Sequence, residues 1–95
     1  MTILFEIKDK TGRQIRLTPK QWKHIQEHPE MTDKIERIRE TLEKPDKIFQ
    51  SPSEPKVHYY FKYDKTIGKY LLVAVKYLNG QGFIITSFYS TKLAI

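Results

Sequence analysis

The chain has 95 residues, with 17 Lys plus Arg against 11 Asp plus Glu, a formal net charge of +6, and no Cys. This length supports a single domain over residues 1–95 and excludes two independent domains, while the lack of Cys excludes a disulfide framework, a thiolate metal site and a Cys nucleophile. The excess of positive charge favours polyanionic partners, and with no membrane-length apolar run and no signal-peptide pattern we expect a soluble, cytoplasmic protein with no membrane partner.

The first 17 residues predict a β-hairpin that precedes the main domain. Ile3, Phe5 and Ile7 fall on alternate positions, as in a strand, and residues 9–12 have the composition of a turn. Residues 14–17 then form a second short strand. We therefore treat residues 1–17 as an N-terminal hairpin extension.

Two helices follow the hairpin. Thr18 is a good N-cap and Pro19 suits the first helical position, so the first helix begins there. It is predicted to run to about His28, because the proline after His28 disfavours helical geometry in the residue before it. The apolar spacing of residues 32–43 predicts a second helix, which Pro45 ends.

The second half of the chain is rich in strand-forming residues. Residues 48–50 predict a short edge strand, and three longer strands follow at residues 57–63, 70–78 and 83–90. Short connections between the longer strands indicate antiparallel hairpins. The predicted fold is α+β, with an N-terminal hairpin and two helices packed on one face of a four-stranded or slightly larger antiparallel sheet.

The strand pattern also predicts one open sheet face. Lys76 is the one charged residue of an otherwise apolar central strand, so its side chain must reach solvent or an anion. Both alternating sets of the last strand contain hydroxyl residues, so its register stays open. A face that carries Lys, Tyr and Ser or Thr suits RNA, although the same residues are also ordinary strand formers.

The three histidines are candidates for proton transfer or metal binding. His24 and His28 are four residues apart on one side of the first helix, but no third ligand is evident, so no metal site and no cofactor are predicted. His24 has two interpretations, an ordinary surface histidine or a catalytic acid or base near neutral pH. His28 also has two interpretations, a residue that ends the helix before Pro29 and packs locally or one that contributes to substrate binding.

Five segments together resemble the phage- and mobile-element-associated branch of the barnase–EndoU–colicin–RelE nuclease superfamily. The most telling part is the Trp-x-His-Ile-x-x-His-Pro-Glu pattern of residues 22–30, combined with a last strand that ends in Thr/Ser and an aromatic residue. The resemblance covers nearly all of the chain from residue 17 onward. The matching segments are residues 17–25, 28–31, 41–48, 69–76 and 82–89.

The resemblance implies helices followed by a four-stranded antiparallel sheet and metal-independent cleavage of RNA. It also implies a toxin-like role under the control of an antitoxin or immunity protein. By position, His24 matches the helix histidine of such enzymes, and Lys76 or Lys62 matches the basic strand residue. Thr86 or Ser87 matches the hydroxyl near the last strand.

These side chains suit attack by the RNA 2′-OH, which leaves a 2′,3′-cyclic phosphate and spares DNA. His24 would transfer the proton, Lys76 with Lys62 would stabilise the phosphate charge, and Thr86 or Ser87 would bind a nonbridging oxygen. Two alternatives stay open. One is a non-catalytic RNA- or protein-binding module of the same fold, and the other is a subunit that acts through strand pairing in a complex. A flanking base would stack on Tyr60 or Tyr89.

Overall fold

The computed structural model describes residues 5–9 and 11–93, with the side chain of Phe5 left out. It contains six strands, two α-helices and one short 3-10 turn in the order ββα(3-10)αββββ. The predicted strand residue Ile3 lies outside the described residues. The elements are β1 (Phe5–Lys8), β2 (Gln14–Leu17), α1 (Pro19–Ile25), the 3-10 turn (Pro29–Met31), α2 (Ile35–Glu43), β3 (Lys47–Gln50), β4 (Val57–Asp64), β5 (Lys69–Leu78) and β6 (Gln81–Ser90).

All six strands belong to one mixed sheet in the order β1-β2-β6-β5-β4-β3. The antiparallel pairing of β3 to β6 agrees with the prediction, but the hairpin β1-β2 joins the same sheet, because β2 pairs parallel with the edge of β6 at Ile15 and Arg16. The predicted α+β fold is confirmed, but the predicted four-stranded or slightly larger antiparallel sheet differs in detail, because the sheet has six strands and one parallel pair. The parallel contact satisfies backbone groups that β6 would otherwise expose.

Both helices are shorter than predicted. Thr18 caps α1 as expected, since its hydroxyl accepts a hydrogen bond from the Gln21 amide at 3.3 Å. The chain then tightens into i→i−3 bonds before His28, whose backbone is extended ahead of Pro29. The second helix begins at Ile35 because Asp33 has φ of 60°, a left-handed value that no α-helix contains.

Helices pack on one face of the sheet and not on the other, within the described residues. We call the side on which α1 and α2 pack the helix face, and the opposite side, on which no described helix packs, the open face. The helix face forms the main apolar core with residues from both helices, and the open face carries a smaller apolar cluster. Core residues of the helix face include Ile15, Leu17, Leu71, Val73, Val75, Tyr77 and Ile84, and those of the open face include Phe61, Leu72 and Ala74.

The helices of the described residues are short. The longer of them, α2, has nine residues. None of the helices in the described part of the chain is long and apolar enough to cross a membrane.

Candidate functional site

Lys76 and Thr86 lie on the open face, as one of the sequence alternatives predicted. Thr86 is directly opposite Ala74 on β5, and Lys76 is two residues further along the same strand. Such diagonal neighbours have Cβ atoms roughly 7–8 Å apart, within reach of a lysine side chain. Both residues are half-buried, and neither side chain has a hydrogen bond or ion pair with the rest of the described chain.

Ser87 lies on the other side of the sheet. It pairs with Val73 of the main core, is fully buried, and donates a hydrogen bond from its hydroxyl to the Leu72 carbonyl at 2.8 Å. A β-bulge between Ala74 and Val75 shifts the register of β6 just before these positions. The two hydroxyls that the sequence left equivalent are thus separated, because only Thr86 faces the open side.

Within the described residues, His24 has no hydrogen bond, ion pair or ring contact with Lys76 or Thr86. It lies on α1, which packs against the helix-face core through Ile25 and Trp22. Its side chain is 53% exposed and its Nδ1 lies 3.7 Å from Glu27 Oε1. The contacts of the described residues do not join His24 to Lys76 or to a strand hydroxyl, and their meeting at a phosphate stays a prediction.

His28 is the helix-side histidine that reaches the open face. Its ring centroid lies 6.0 Å from that of Phe88, and Phe88 follows Thr86 by two residues on the same face of β6. The segment that carries His28 is held in place by the buried side chain of Met31 and by an ion pair of 3.5 Å between Glu30 and Lys69. The tight turn after α1 thus positions an exposed imidazole beside the open face.

Lys62 and Tyr60 belong to the helix face, so the structure corrects their predicted place beside Lys76. Lys62 donates a hydrogen bond from Nζ to the Lys44 carbonyl at 2.9 Å, at the end of α2. Such a contact satisfies a carbonyl that the helix leaves unpaired and interacts favourably with the helix dipole. Tyr60 is only 2% exposed and shares a hydrogen bond with the Tyr77 hydroxyl.

Tyr89 is also unsuitable for stacking on a base in this structure. It is 6% exposed, and its hydroxyl donates to the Asp64 carboxylate at 2.7 Å. Burial and this hydrogen bond raise the pKa of Tyr89. Burial alone would raise the pKa of Asp64, but the hydrogen bonds that Asp64 accepts from Tyr89 and from the backbone lower that pKa. The rings available on the open face belong to other residues, namely Phe49, Tyr59, Tyr63, Tyr70, Phe83 and Phe88.

The charge of the open face is positive. Lys47 pairs with Phe61 and therefore lies on this face, where it is exposed and adds a second positive charge to that of Lys76. From β3 to β6, none of the residues that point to the open face is an Asp or Glu. No group of three His, Cys, Asp or Glu residues suited to a metal ion exists within the described residues. The face therefore presents lysine, hydroxyl and aromatic groups.

A second polar cluster, which we call the hairpin clamp, lies beneath the β1-β2 turn on the helix face. The Tyr77 hydroxyl donates to Asp9 Oδ2 at 2.7 Å, and Arg13 donates from Nε to the same oxygen at 3.2 Å. The Arg13 guanidinium carbon lies 3.8 Å from the centroid of the Tyr77 ring, a cation–π contact. His58 packs edge-on against that ring, and its Nδ1 is buried without a hydrogen-bond partner among the described residues.

The burial and hydrogen bonds of the clamp shift the pKa of two of its members. Burial alone would raise the pKa of Asp9, but hydrogen bonds from Thr11, Tyr77 and the backbone outweigh burial and lower it to about 2. Burial and the nearby Arg13 lower the pKa of His58. Sequence reasoning missed this cluster because its members come from two strands, β4 and β5, and from the β1–β2 turn, with no local spacing to connect them.

Comparison with known proteins is consistent with this geometry. A family model described as phage-Barnase-EndoU-ColicinE5/D-RelE like nuclease2 matches residues 4–95. A search of curated proteins and a search of solved structures each returned no significant match. The family match includes both the N-terminal hairpin and the region from residue 17 onward that carries the sequence resemblance. The chain therefore belongs to the phage-Barnase-EndoU-ColicinE5/D-RelE like nuclease2 family, a family of nucleases.

Proposed function

We propose that the protein is a metal-independent ribonuclease whose substrate binds to the open face. One observation carries this proposal: Lys76 and Thr86 are diagonal neighbours whose side chains have no hydrogen bond or ion pair with any described residue, on a face that bears no carboxylate from β3 to β6. An unpaired ammonium next to an unpaired hydroxyl suits a phosphodiester better than it suits a protein core. The lack of carboxylates on the β3–β6 part of that face favours attack by the RNA 2′-OH over attack by a metal-bound hydroxide.

The proposed roles follow from position. Lys76 stabilises negative charge on the pentavalent phosphate, and Thr86 donates a hydrogen bond to a nonbridging oxygen. His28, which lies by the ring of Phe88, removes the 2′-OH proton or protonates the leaving oxygen. The products are a 2′,3′-cyclic phosphate and a free 5′-hydroxyl, and DNA is inert because it lacks the nucleophile.

The proton-transferring histidine is either His24 or His28, and a matched pair of variants distinguishes these two assignments. Purified protein is incubated with single-stranded and structured RNA in EDTA, and with DNA of the same sequence, and the product ends are analysed. We expect H28A to lower kcat by about 100-fold or more, within the range known for general acid–base groups, and H24A to change it little. The reverse result would restore the helix histidine and refute the role of His28.

The two neighbouring hydroxyls form a second matched pair. Thr86→Val removes a hydroxyl from the open face at nearly constant volume, and we expect cleavage to fall by about 10-fold or more. Ser87→Ala removes a buried hydroxyl and should leave kcat nearly unchanged in the folded fraction. K76A should abolish most activity. Intact RNA in EDTA, or cleavage that survives K76A, T86V and H28A alike, would refute the catalytic proposal.

The second candidate function is a binding module without catalysis. It is favoured by the same positive, aromatic face and would be recognised as salt-sensitive RNA binding without cleavage. The cleavage assay in EDTA, run beside a binding titration at several salt concentrations, separates the two.

We also propose a toxin-like role in the cytoplasm, where RNA substrates are present, with an antitoxin or immunity protein as partner. The family assignment and the unpartnered, positive open face support this role. Induced expression in bacterial cells should arrest growth for the wild type and not for K76A. Equal growth of the two strains, with equal amounts of soluble protein, would refute it.

A further inference from the structure

A row of three side chains crosses the open face from β2 to β5. Arg16 is registered with Phe83 in the parallel β2–β6 pair, and Phe83 is directly opposite Lys76 in the antiparallel β6–β5 pair. All three point away from the helices, because the residues beside them on each strand, Ile15, Ile84 and Tyr77, belong to the main core. The N-terminal hairpin thus supplies the open face with an arginine.

The spacing of this row is set by the sheet. Adjacent strands are about 4.8 Å apart, so the Cα atoms of Arg16 and Lys76 are separated by about 10 Å, with Phe83 between them. Phe83 and Lys76 are half-buried, and the Arg16 side chain is 28% exposed. Two cations therefore flank one partly exposed aromatic ring.

The guanidinium of Arg16 has hydrogen-bond donors that no described residue uses. Its Nε donates to Glu6 Oε2 on β1 at 3.2 Å, and this is the one hydrogen bond or ion pair of its side chain within the described residues. The contact fixes one edge of the guanidinium and leaves the terminal amino groups unpaired. An exposed pair of this kind contributes about 0–1 kcal/mol to stability. The ion pair by itself is therefore a minor stabilising feature, and a planar fork of donors remains for phosphate.

We propose that this row is a nucleotide subsite for single-stranded RNA: an unpaired base stacks on Phe83 while Arg16 binds the phosphate on the far side of that base from Lys76. The subsite rests on the proposed function only in taking Lys76 as the contact to the scissile phosphate. The subsite implies that the bound RNA runs across the open face from β5 over β6 toward β2. It also predicts that an unpaired base next to the cleaved bond is required, because a paired base cannot stack on the ring.

The test is RNA binding and cleavage by R16Q and F83L, with K47Q as the charge-matched control. Lys47 is exposed on the same face but three strands from β6, outside the row. R16Q should lower the slope of log K against log salt by about 0.7, the value for one phosphate contact in a single strand. K47Q should lower it by clearly less, and R16K should restore the slope.

Loss of the ring should weaken binding of single strands by about 5- to 100-fold for F83L, whereas F83Y should retain it. Duplex RNA of the same sequence should be insensitive to F83L. In cleavage assays, R16Q and F83L should raise KM more than they lower kcat. Circular dichroism and thermal melting of each variant confirm that the sheet is intact.

The possible failures are distinguishable. If RNA is bound with these dependences on Arg16 and Phe83 but is never cleaved, the catalytic proposal fails and the subsite stands. If RNA is cleaved but R16Q behaves like K47Q and F83L like the wild type, the subsite is overturned and the nuclease proposal stands. If no RNA is bound, both are overturned.

Discussion

Asp9→Asn should destabilise the protein more than any other single change to its surface loops. Asp9 lies in the turn between β1 and β2, yet its side chain is completely buried in the hairpin clamp. It accepts hydrogen bonds from the Thr11 amide at 2.8 Å and from the Tyr77 hydroxyl at 2.7 Å. Replacing one carboxylate oxygen by an amino group turns an acceptor into a donor that faces other donors.

The magnitude follows from the pKa of Asp9. Hydrogen bonds lower the pKa from 3.8 to about 2 in the folded chain. At 1.36 kcal/mol for each pH unit, this corresponds to about 2 kcal/mol of stability from the ionised form. Because the folded pKa lies below the unfolded one, this stability is fully present above pH 3.8 and is lost as the pH falls through about 2. At pH 7 we expect D9N to lose about 2–3 kcal/mol.

Urea denaturation, followed by far-UV circular dichroism, measures the effect. With an m-value of about 1 kcal/mol/M for a small domain, the midpoint of D9N should fall by about 2 M at pH 7. D33N is the control, since Asp33 is exposed and has no side-chain partner in the described chain. A D9N protein within about 0.5 kcal/mol of the wild type at pH 7, or a difference that does not shrink toward pH 2, would refute the reasoning.

Three further predictions concern stability. Burial lowers the pKa of His58 below 6.5, so the folded state favours the neutral ring and acidification below pH 6.5 costs stability. In urea titrations, H58Q should therefore lose less stability than the wild type between pH 7 and pH 5. A pH profile that H58Q leaves unchanged would contradict this prediction. A Cβ on Gly82 would lie 2.8 Å from Val75 Cγ1, so G82A should lower the unfolding free energy by about 1–3 kcal/mol, seen as a lower Tm. Ser87→Ala should cost about 1 kcal/mol and Thr86→Val less, since only the Ser87 hydroxyl has a buried acceptor; equal costs would argue against the assigned faces.

Local chemistry in the sequence was a reliable guide to the elements. The cap formed by Thr18 and Pro19, the stop after Glu43 and the three long strands are local features, and each was found within a few residues of its predicted place. The early end of α1 and the late start of α2 depend on backbone geometry at His28 and Asp33, which the apolar spacing does not report.

The site was less predictable than the fold. Lys76 on the open face could be read from strand alternation, because one charged residue in an apolar strand must face outward. The choice between Thr86 and Ser87 could not, since a β-bulge reverses the expected alternation and leaves no clear signal in the residues themselves. Likewise, helical spacing groups His24 with His28, whereas the tight turn after α1 sends only His28 toward the ring of Phe88.

By itself, the sequence determined a small, basic α+β chain with helices on one sheet face and Lys76 on the other, because composition, caps and strand alternation are local properties. The tertiary structure alone decided that the N-terminal hairpin completes the sheet through a parallel pair and brings Arg16 beside Phe83. It also decided that Asp9 and Tyr77 meet. Both are contacts between residues more than sixty positions apart, and they depend on register and on how the hairpin folds over the core, which no local pattern encodes.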